Sequence, residues 1–261
     1  MKERYSVSHS RACKVVSCSR TKQYYDPIMP VKDQPVKEAI MDVLNGCKKG
    51  RKKGRKKVIR MVQRNHPEMK SSKIRRIYVD SGLSLYRPVR KRRFSKKPEP
   101  LAMPMAKNEE WAMDFMSDRM VDGRPFRTLN LIDEYDRYCL NITVDTSINA
   151  RRVTRELDRV IESHGKPRAI RTDNGPEFTS KWFQCWLKSA GIKWSAIEKG
   201  APSQNAFIER FNRTLREDVL DANLFFNLAN ARRNTETFQQ EYNTQHPHEA
   251  LNYMTPCEVR R

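Results

Sequence analysis

Residues 108–261 combine strand-like and helix-like spacings of apolar residues. Three apolar or alternating segments come first and predict β-strands, with Asp122-Gly123 forming the turn between the first two. After residue 150, apolar positions at three- and four-residue spacing predict amphipathic helices with short strands between them. The predicted strands are 111–116, 126–132, 138–144, 169–172 and 192–196, and the predicted helices are 150–164, 180–190, 206–220 and 228–242. This order predicts a mixed α/β domain whose sheet is covered on both faces.

Helical spacing also occurs in the first part of the chain. It predicts a helix over residues 36–44, and Pro35 is expected to break regular structure before that helix. Two further short helices are predicted on either side of residues 65–67, the second capped by Ser71 or Ser72. Two short helices joined by a tight turn resemble a helix-turn-helix unit, which is a common DNA-binding motif.

Changes in composition divide the chain into five parts. The four prolines and basic residues of 88–105 predict an extended linker between a basic N-terminal portion and an α/β portion. The expected parts are a partly helical basic segment (1–53), the helix-turn-helix-like region (54–87), the linker (88–105), the α/β core (106–225) and a C-terminal helix and tail (226–261).

The positive charge is concentrated at one end of the chain. The net charge is +21; residues 1–107 hold 30 Lys and Arg against 8 Asp and Glu, whereas residues 108–261 hold 22 against 23. This asymmetry predicts a nucleic-acid-binding portion joined to a neutral folded portion, with a solvated tail as the alternative. Neutralising DNA phosphates releases counterions, so the basic N-terminal residues are candidate backbone contacts. These candidates are Lys52, Lys53, Arg55, Arg75 and Arg76.

Cysteine usage and hydropathy indicate the compartment. The six cysteines contain no C-x-x-C pair, which favours a reducing intracellular setting over a disulfide framework. No apolar stretch reaches the length of about 18 residues needed for a membrane span, and the N-terminus lacks a secretory pattern. We therefore expect a cytoplasmic, DNA-associated protein without a membrane partner.

Three acidic residues carry the strongest chemical signal. Asp114, Asp173 and Glu209 each lie in an apolar or tightly turned context, where a lone carboxylate is costly. Three carboxylates brought together would repel one another unless they hold a cation, and a hard divalent ion such as Mg²⁺ suits oxygen ligands. The pattern therefore indicates metal-dependent phosphodiester chemistry on a nucleic acid.

The predicted elements can bring these acids together. Asp114 is expected within a strand, Asp173 directly after another strand, and Glu209 in the first turn of a helix. Active-site groups in open α/β sheets commonly lie at the carboxyl ends of strands, and a helix N-terminus favours negative charge. Three polar residues could cap that helix, namely Ser203, Gln204 and Asn205.

Two arginines follow Glu209 on the same helix. Arg213 and Arg216 lie four and seven residues later, so they share its face and are candidates for phosphate contact. The alternative is a set of local ion pairs with Glu209 and Glu217. The polar residues beside the acids are further candidates for DNA contact; they are Asn174, Gln204 and Asn205.

Other acids and the tryptophans have plainer explanations. Turn-capping or solvent-facing roles explain Asp118, Asp133, Asp136 and Asp145, and Glu177 is interpreted as a charge at a helix N-terminus. The four tryptophans are expected in the core; they are Trp111, Trp182, Trp186 and Trp194.

Three motifs carry a resemblance to a known family. They are Arg-Thr-Asp-Asn-Gly-Pro-Glu-Phe (171–178), Ser-Gln-Asn-Ala-Phe-Ile-Glu-Arg-Phe-Asn (203–212) and His-Pro-His-Glu-Ala-Leu-Asn-Tyr-Met-Thr-Pro (246–256). With 35 residues between Asp173 and Glu209, they resemble the DDE catalytic cores of insertion-sequence transposases, which are related to retroviral integrases. The match is closest to the second-frame product of two-frame bacterial insertion sequences and covers roughly residues 54–261.

The resemblance implies both fold and reaction. It implies a ribonuclease H-like integrase core with Asp114, Asp173 and Glu209 as catalytic metal ligands for two Mg²⁺ ions, with Mn²⁺ as an alternative ion. It further implies strand cleavage at element ends, strand transfer to a target, and a homo-multimer assembled on double-stranded DNA.

Two features of the family are expected to be missing here. The zinc-binding His-His-Cys-Cys domain of retroviral integrases is absent from the sequence, and so is the first-frame segment that relatives gain by a translational frameshift. A first-frame partner segment is therefore expected. Two alternatives to a transposase stay open, a catalytically idle DNA-binding regulator of transposition and a structure-selective ribonuclease H-like nuclease.

Overall fold

The computed structural model describes a helical N-terminal unit and an α/β core. Its described residues are 8–15, 17, 28–46, 54–85, 103–198 and 202–260. Lys52, Lys53 and most of the predicted linker lie outside these residues. Within the described ranges, no helix is both long and apolar enough to cross a membrane.

Four helices are described before the core. They are α1 (His9–Val15), α2 (Ile28–Asn45), α3 (Arg55–Asn65) and α4 (Ser71–Asp80). The break predicted at Pro35 is wrong, because α2 runs through that residue. Pro35 is exposed, whereas Val36 and Ile40 are buried. Packing of the buried face therefore outweighs the single backbone hydrogen bond that the proline removes.

Helices α2, α3 and α4 share one apolar core. Their buried residues include Ile40, Val58, Val62 and Ile74. The helical unit thus includes α2, which precedes the division drawn at residue 53. The cap predicted at Ser71 or Ser72 is wrong, since the N-cap of α4 is Lys70 and makes no side-chain capping bond.

A five-stranded mixed sheet forms the second unit. Its strands are β1 (Glu110–Arg119), β2 (Pro125–Asp133), β3 (Cys139–Asp145), β4 (Ala169–Thr172) and β5 (Lys193–Ala196). The order across the sheet is β3-β2-β1-β4-β5. The first three strands pair antiparallel, while β4 and β5 run parallel to β1. The predicted mixed α/β layout is confirmed.

Helices cover both faces of the sheet. They are α5 (Ala150–His164), α6 (Pro176–Thr179), α7 (Lys181–Ala190), α8 (Ala206–Leu215), α9 (Leu228–Gln245) and α10 (Pro256–Arg260). Helices α8 and α9 bury residues such as Phe211 and Phe238 against one face, and α5 and α7 bury Leu157 and Phe183 against the other. A 3₁₀ turn (Pro202–Asn205) precedes α8, which continues as a π-helical segment (Arg216–Leu220).

The tryptophans do not all lie in the core. Trp111 is fully buried, but Trp182 is 51% exposed, so its predicted core position is wrong. The Trp182 indole N–H donates to the Thr154 hydroxyl at 3.1 Å, and the Arg151 guanidinium lies 4.7 Å from the ring centre. These two contacts hold the ring at the surface without burying it.

Candidate active site

Strand register places Asp114 beside Asp173. Parallel pairing of β1 with β4 matches Ala112 with Arg171, and each aspartate lies two residues further along its own strand direction. Asp114 shares its strand face with Ala112, which packs in the cluster to which α8 contributes. Since α8 carries Glu209 in its first turn, the fold brings all three predicted acids to one region.

The three carboxylates act on one another electrostatically. The pKa of Asp114 is raised to about 6, chiefly by burial and also by the charges of Asp173 and Glu209. The Phe115 backbone N–H and the Asn212 amide oppose this shift by donating to the Asp114 carboxylate. Asp173 and Glu209 are exposed, and within the described ranges neither forms an ion pair with a basic side chain. The site therefore holds uncompensated negative charge.

Asn212 links α8 to strand β1. Its Nδ2 donates to Asp114 Oδ2 at 2.8 Å, and its Oδ1 accepts from Asn130 Nδ2 at 2.7 Å. Asn130 lies opposite Asp114 in the β1–β2 register. Sequence reasoning missed Asn212, although its position three residues after Glu209 puts it on the same helix face. This chain of hydrogen bonds fixes the orientation of the Asp114 carboxylate.

The turn after β4 holds Asp173 in place. Asp173 Oδ1 accepts the Gly175 backbone N–H at 3.1 Å, which forms an Asx turn. The Asn174 side-chain amide donates to the carbonyl oxygen of Ile197 at 2.7 Å. Asn174 thereby connects this turn to the chain that follows β5, so the protein itself uses the amide that was predicted to contact DNA.

The segment before α8 differs from the prediction. Asn205 is the N-cap residue, but its side chain makes no capping hydrogen bond, so this part of the capping prediction is wrong. Asn205 is only 5% exposed, and its Oδ1 has no hydrogen-bond partner among the described residues. The Gln204 side chain accepts the Glu198 backbone N–H at 3.0 Å, which bridges the two ends of this segment.

A fourth carboxylate near Asp173 is neutralised. Glu177 Oε1 lies 2.5 Å from Arg127 Nη1, and the Arg127 guanidinium lies 4.1 Å from the centre of the Phe115 ring. Glu177 is in the first turn of α6, as expected for a charge at a helix N-terminus. Its pairing with Arg127 distinguishes it from the three unpaired acids.

The two arginines of the Glu209 helix have different surroundings. Arg213 is exposed and forms no ion pair with any described residue. Arg216 donates to the Ser117 carbonyl oxygen at 3.1 Å and lies 3.6 Å from Asp221. The alternative ion pairs with Glu209 and Glu217 are therefore not formed.

Comparison with known proteins decides the family. Two models described as "Integrase core domain" match residues 104–202 and 190–256. The chain is 34% identical over 258 residues to the 31.7 kDa protein of insertion element IS407 from Burkholderia multivorans, covering 99% of this chain and 92% of that protein. It is 26% identical over 190 residues to the transposase for insertion sequence element IS904 from Lactococcus lactis, covering 70% of this chain and 71% of that protein.

The chain belongs to the insertion-element transposase family with an integrase core domain. Members of this family are DDE-type polynucleotidyl transferases, so the predicted class of enzyme is confirmed. A solved structure supports the fold of the transposase. The simian T-cell lymphotropic virus intasome in complex with PP2A regulatory subunit B56 gamma aligns with a TM-score of 0.56 at 16% identity, covering 85% of this chain and 74% of that chain. The predicted ribonuclease H-like core is confirmed.

The candidate DNA contacts on the helical unit of the transposase differ in whether an acidic side chain already pairs with them. Arg55 and Arg75 are exposed and form no ion pair with any described residue. Arg76 lies 2.7 Å from Asp33 and 3.5 Å from Asp80, so carboxylates already neutralise it. Arg75 and its neighbour Arg76 therefore differ in their pairing: of the two, Arg76 alone has acidic partners among the described residues.

Other acids of the transposase serve the fold. Asp133 and Asp136 are fully buried, and Arg260 lies 3.2 Å and 2.7 Å from them. Each accepts the backbone N–H two residues later, so the predicted turn-capping role is confirmed for both, whereas a solvent-facing position is not.

Among the described residues, no three His, Cys, Asp or Glu side chains already form a compact metal-binding group.

Proposed function

We propose that this transposase cuts DNA strands at the ends of its insertion element and joins the freed 3′-hydroxyl to target DNA, using Asp114, Asp173 and Glu209. One observation carries this assignment. Asp114 on β1, Asp173 at the end of β4 and Glu209 in the first turn of α8 have no basic ion-pair partner among the described residues, and the charges of the latter two raise the pKa of Asp114. Structural carboxylates in this chain, such as Asp133 and Glu177, have arginine partners instead.

The donor set suits a hard divalent cation. Carboxylate oxygens are the ligands that Mg²⁺ prefers, and unpaired acids gain most from a cation. We assign Asp114, Asp173 and Glu209 as ligands for Mg²⁺, with Mn²⁺ as an alternative ion. When bound, such ions supply a nucleophile of lowered pKa and stabilise charge on the leaving oxygen.

The residues around the acids prepare them for this role. Asn130 and Asn212 orient Asp114, and the Gly175 N–H orients Asp173, so two ligands are positioned before DNA binds. Because burial raises the pKa of Asp114 only to about 6, this carboxylate is ionised at neutral pH. Arg213 is free to contact a phosphate beside the scissile bond.

DNA binding and assembly extend beyond the site. The basic residues before 107 supply the charge for double-stranded DNA at element ends and target, with Lys52, Lys53, Arg55 and Arg75 as backbone contacts. We expect a homo-multimer on paired ends, a first-frame partner segment, and action at DNA in the bacterial cytoplasm.

The test uses labelled DNA carrying the inverted repeats that flank the reading frame, with Mg²⁺. The unmodified protein should nick this DNA and form joined strands. Asp173→Asn should lower both activities by more than about a thousandfold while DNA affinity stays within about twofold, because a catalytic ligand is lost without a change of fold. Asp158→Asn, at an aspartate on α5 that bonds Trp186, is the matched control and should keep full activity.

The products separate the alternatives. Nicks without joined strands would indicate a structure-selective nuclease. Binding without strand breakage, even when the first-frame segment is added, would indicate a regulator. Loss of DNA binding in Asp173→Asn would count against a purely catalytic role for Asp173.

A further inference from the structure

A buried ion network lies beneath the acidic site and takes no part in the chemistry described above. Arg171 Nη2 lies 2.5 Å from Glu110 Oε2, and Arg171 Nη1 lies 3.0 Å from Glu134 Oε2. The Arg171 side chain is 12% exposed and that of Glu134 is 0% exposed. Both carboxylates converge on one guanidinium, whose fork geometry suits two acceptors at once.

The same guanidinium also reaches the segment that leads to α8. Arg171 Nη1 donates to the backbone carbonyl oxygen of Gln204 at 3.2 Å. Arg171 lies two residues before Asp173, and Gln204 lies five residues before Glu209. One side chain therefore connects the strand of one catalytic acid to the entrance of the helix that carries another.

A second buried arginine supports the first turn of α8. The Arg137 guanidinium lies 3.4 Å from the centre of the Phe207 ring, and Phe207 is the second residue of α8. Arg137 also donates to the backbone carbonyl oxygen of Glu134. Glu134 thus organises both arginines, one through its side chain and one through its backbone.

Fold stability alone is a weak explanation for this network. Removing three or four charges from water is costly, and apolar residues of similar volume often stabilise a core at least as well. An ion network specifies one arrangement of the groups it joins, since every donor must find its acceptor. Here the groups joined are the supports of Asp173 and Glu209.

We propose that Arg171 is a positioning residue that sets the separation of Asp173 from Glu209, through Glu110, Glu134 and the Gln204 carbonyl oxygen. The proposal rests on the proposed role of the two acids. Without the Arg171 guanidinium, the 202–205 turn loses its bond to β4, and the two carboxylates no longer share a fixed frame. Binding of a metal ion then also has to bring the two carboxylates into position, because the protein no longer does so.

The test is Arg171→Met in the full chain, which removes the fork and keeps an unbranched apolar side chain. Arg168→Met is the matched control, since Arg168 is 82% exposed and lies three residues earlier. For each protein we would measure the Mg²⁺ concentration that gives half-maximal cleavage, the Kd for the same DNA, and the thermal unfolding curve. We expect Arg171→Met to raise the half-maximal Mg²⁺ concentration at least about tenfold, with Kd within about twofold, because preorganisation of ligands is lost. Arg168→Met should match the unmodified protein.

A second variant keeps the proposal testable if Arg171→Met fails to fold. Arg171→Lys retains the charge but cannot reach all three acceptors at once, so it should fold and require an intermediate Mg²⁺ concentration. An unchanged Mg²⁺ requirement in a folded Arg171→Met or Arg171→Lys protein would overturn the positioning role. If Asp173→Asn cleaves as well as the unmodified protein, the assigned role of the acids fails instead, so the two failures are distinguishable.

Discussion

The charge of Asp114, a proposed metal ligand, destabilises the fold that carries it. Its folded pKa of about 6 lies above the ordinary value of 3.8, mainly because the residue is buried. A raised carboxyl pKa means that stability is lost as pH rises from about 4 through 6 and stays lost above that range. We therefore predict that Asp114→Asn is more stable than the unmodified protein at pH 8 without metal, by roughly 1–2 kcal/mol after allowance for partial exposure.

Urea unfolding in the presence of a chelator measures this difference. The gain should shrink at pH 4.5, where the native carboxyl is already largely protonated. Adding Mg²⁺ should stabilise the unmodified protein and leave Asp114→Asn nearly unchanged, because ligand binding favours the folded state only when the site is intact. Equal gains at both pH values would contradict the burial argument.

Individual residues differed in how far the sequence could predict them. Asp114, Asp173 and Glu209 could be found because each lies in a recognisable local motif. Asn212 and Arg171 could not, since their roles depend on partners 98 and 37 residues away. Polarity along a chain does not say which buried groups will satisfy one another.

At the turn between β4 and α6, one substitution can displace the Asp173 carboxylate without disturbing the fold. The two effects can therefore be tested separately. Gly175 has φ −60°, a value open to any residue, but a Cβ there would lie 3.1 Å from Asp173 Oδ1. Gly175→Ala should therefore fold normally while moving the Asp173 carboxylate. We predict a loss of cleavage rate of about tenfold or more, since small misplacements of catalytic groups are costly.

Cleavage assays and thermal unfolding together check the Gly175 prediction. The unfolding midpoint should change by no more than a few degrees, which is the effect of about 1 kcal/mol. Gly46→Ala is the control, because Gly46 directly follows α2 and, among the described residues, its Cβ would meet only the Asp42 carbonyl oxygen. Unchanged activity in Gly175→Ala would mean that the Asp173 turn tolerates displacement.

Secondary structure was predictable where apolar spacing alone determines it. Helix α5 and strand β4 have the predicted bounds, because each has a clear apolar pattern and clear end signals. The failures lie at positions where tertiary contacts compete with local preference. Helix α2 continues through Pro35, and the predicted helix 206–220 becomes π-helical at Arg216, where a hydrogen bond to Ser117 ties it to β1.

Across the whole molecule, the helical unit docks on the C-terminal segment. One face of α3 makes these contacts at four-residue intervals: Lys56 lies 2.5 Å from Glu249, and Arg64 lies 2.8 Å from Glu258. Between them, the Arg60 guanidinium lies 5.2 Å from the centre of the Tyr253 ring. The sequence could not predict this pairing, since the partners are about 190 residues apart. Part of the positive charge of the helical unit is thus paired with acidic residues of the C-terminal segment.

The charge that remains free should determine how DNA affinity depends on salt. Each phosphate contact made by a lysine or arginine contributes about 0.9 to the slope of log Kd against log salt concentration. Arg75→Ala should reduce that slope by about 0.9, which is the contribution of one phosphate contact. Arg76→Ala should leave it nearly unchanged, because Asp33 and Asp80 already neutralise Arg76.

Fluorescence anisotropy with a labelled duplex, over a series of NaCl concentrations, measures both slopes. The two arginines are adjacent on α4 and carry the same charge, so each is the matched control for the other. An equal loss of slope in both variants would mean that DNA displaces Asp33 from Arg76. The helical unit would then exchange an internal ion pair for a phosphate contact, and its own acids would weaken DNA binding by competing for the same guanidinium.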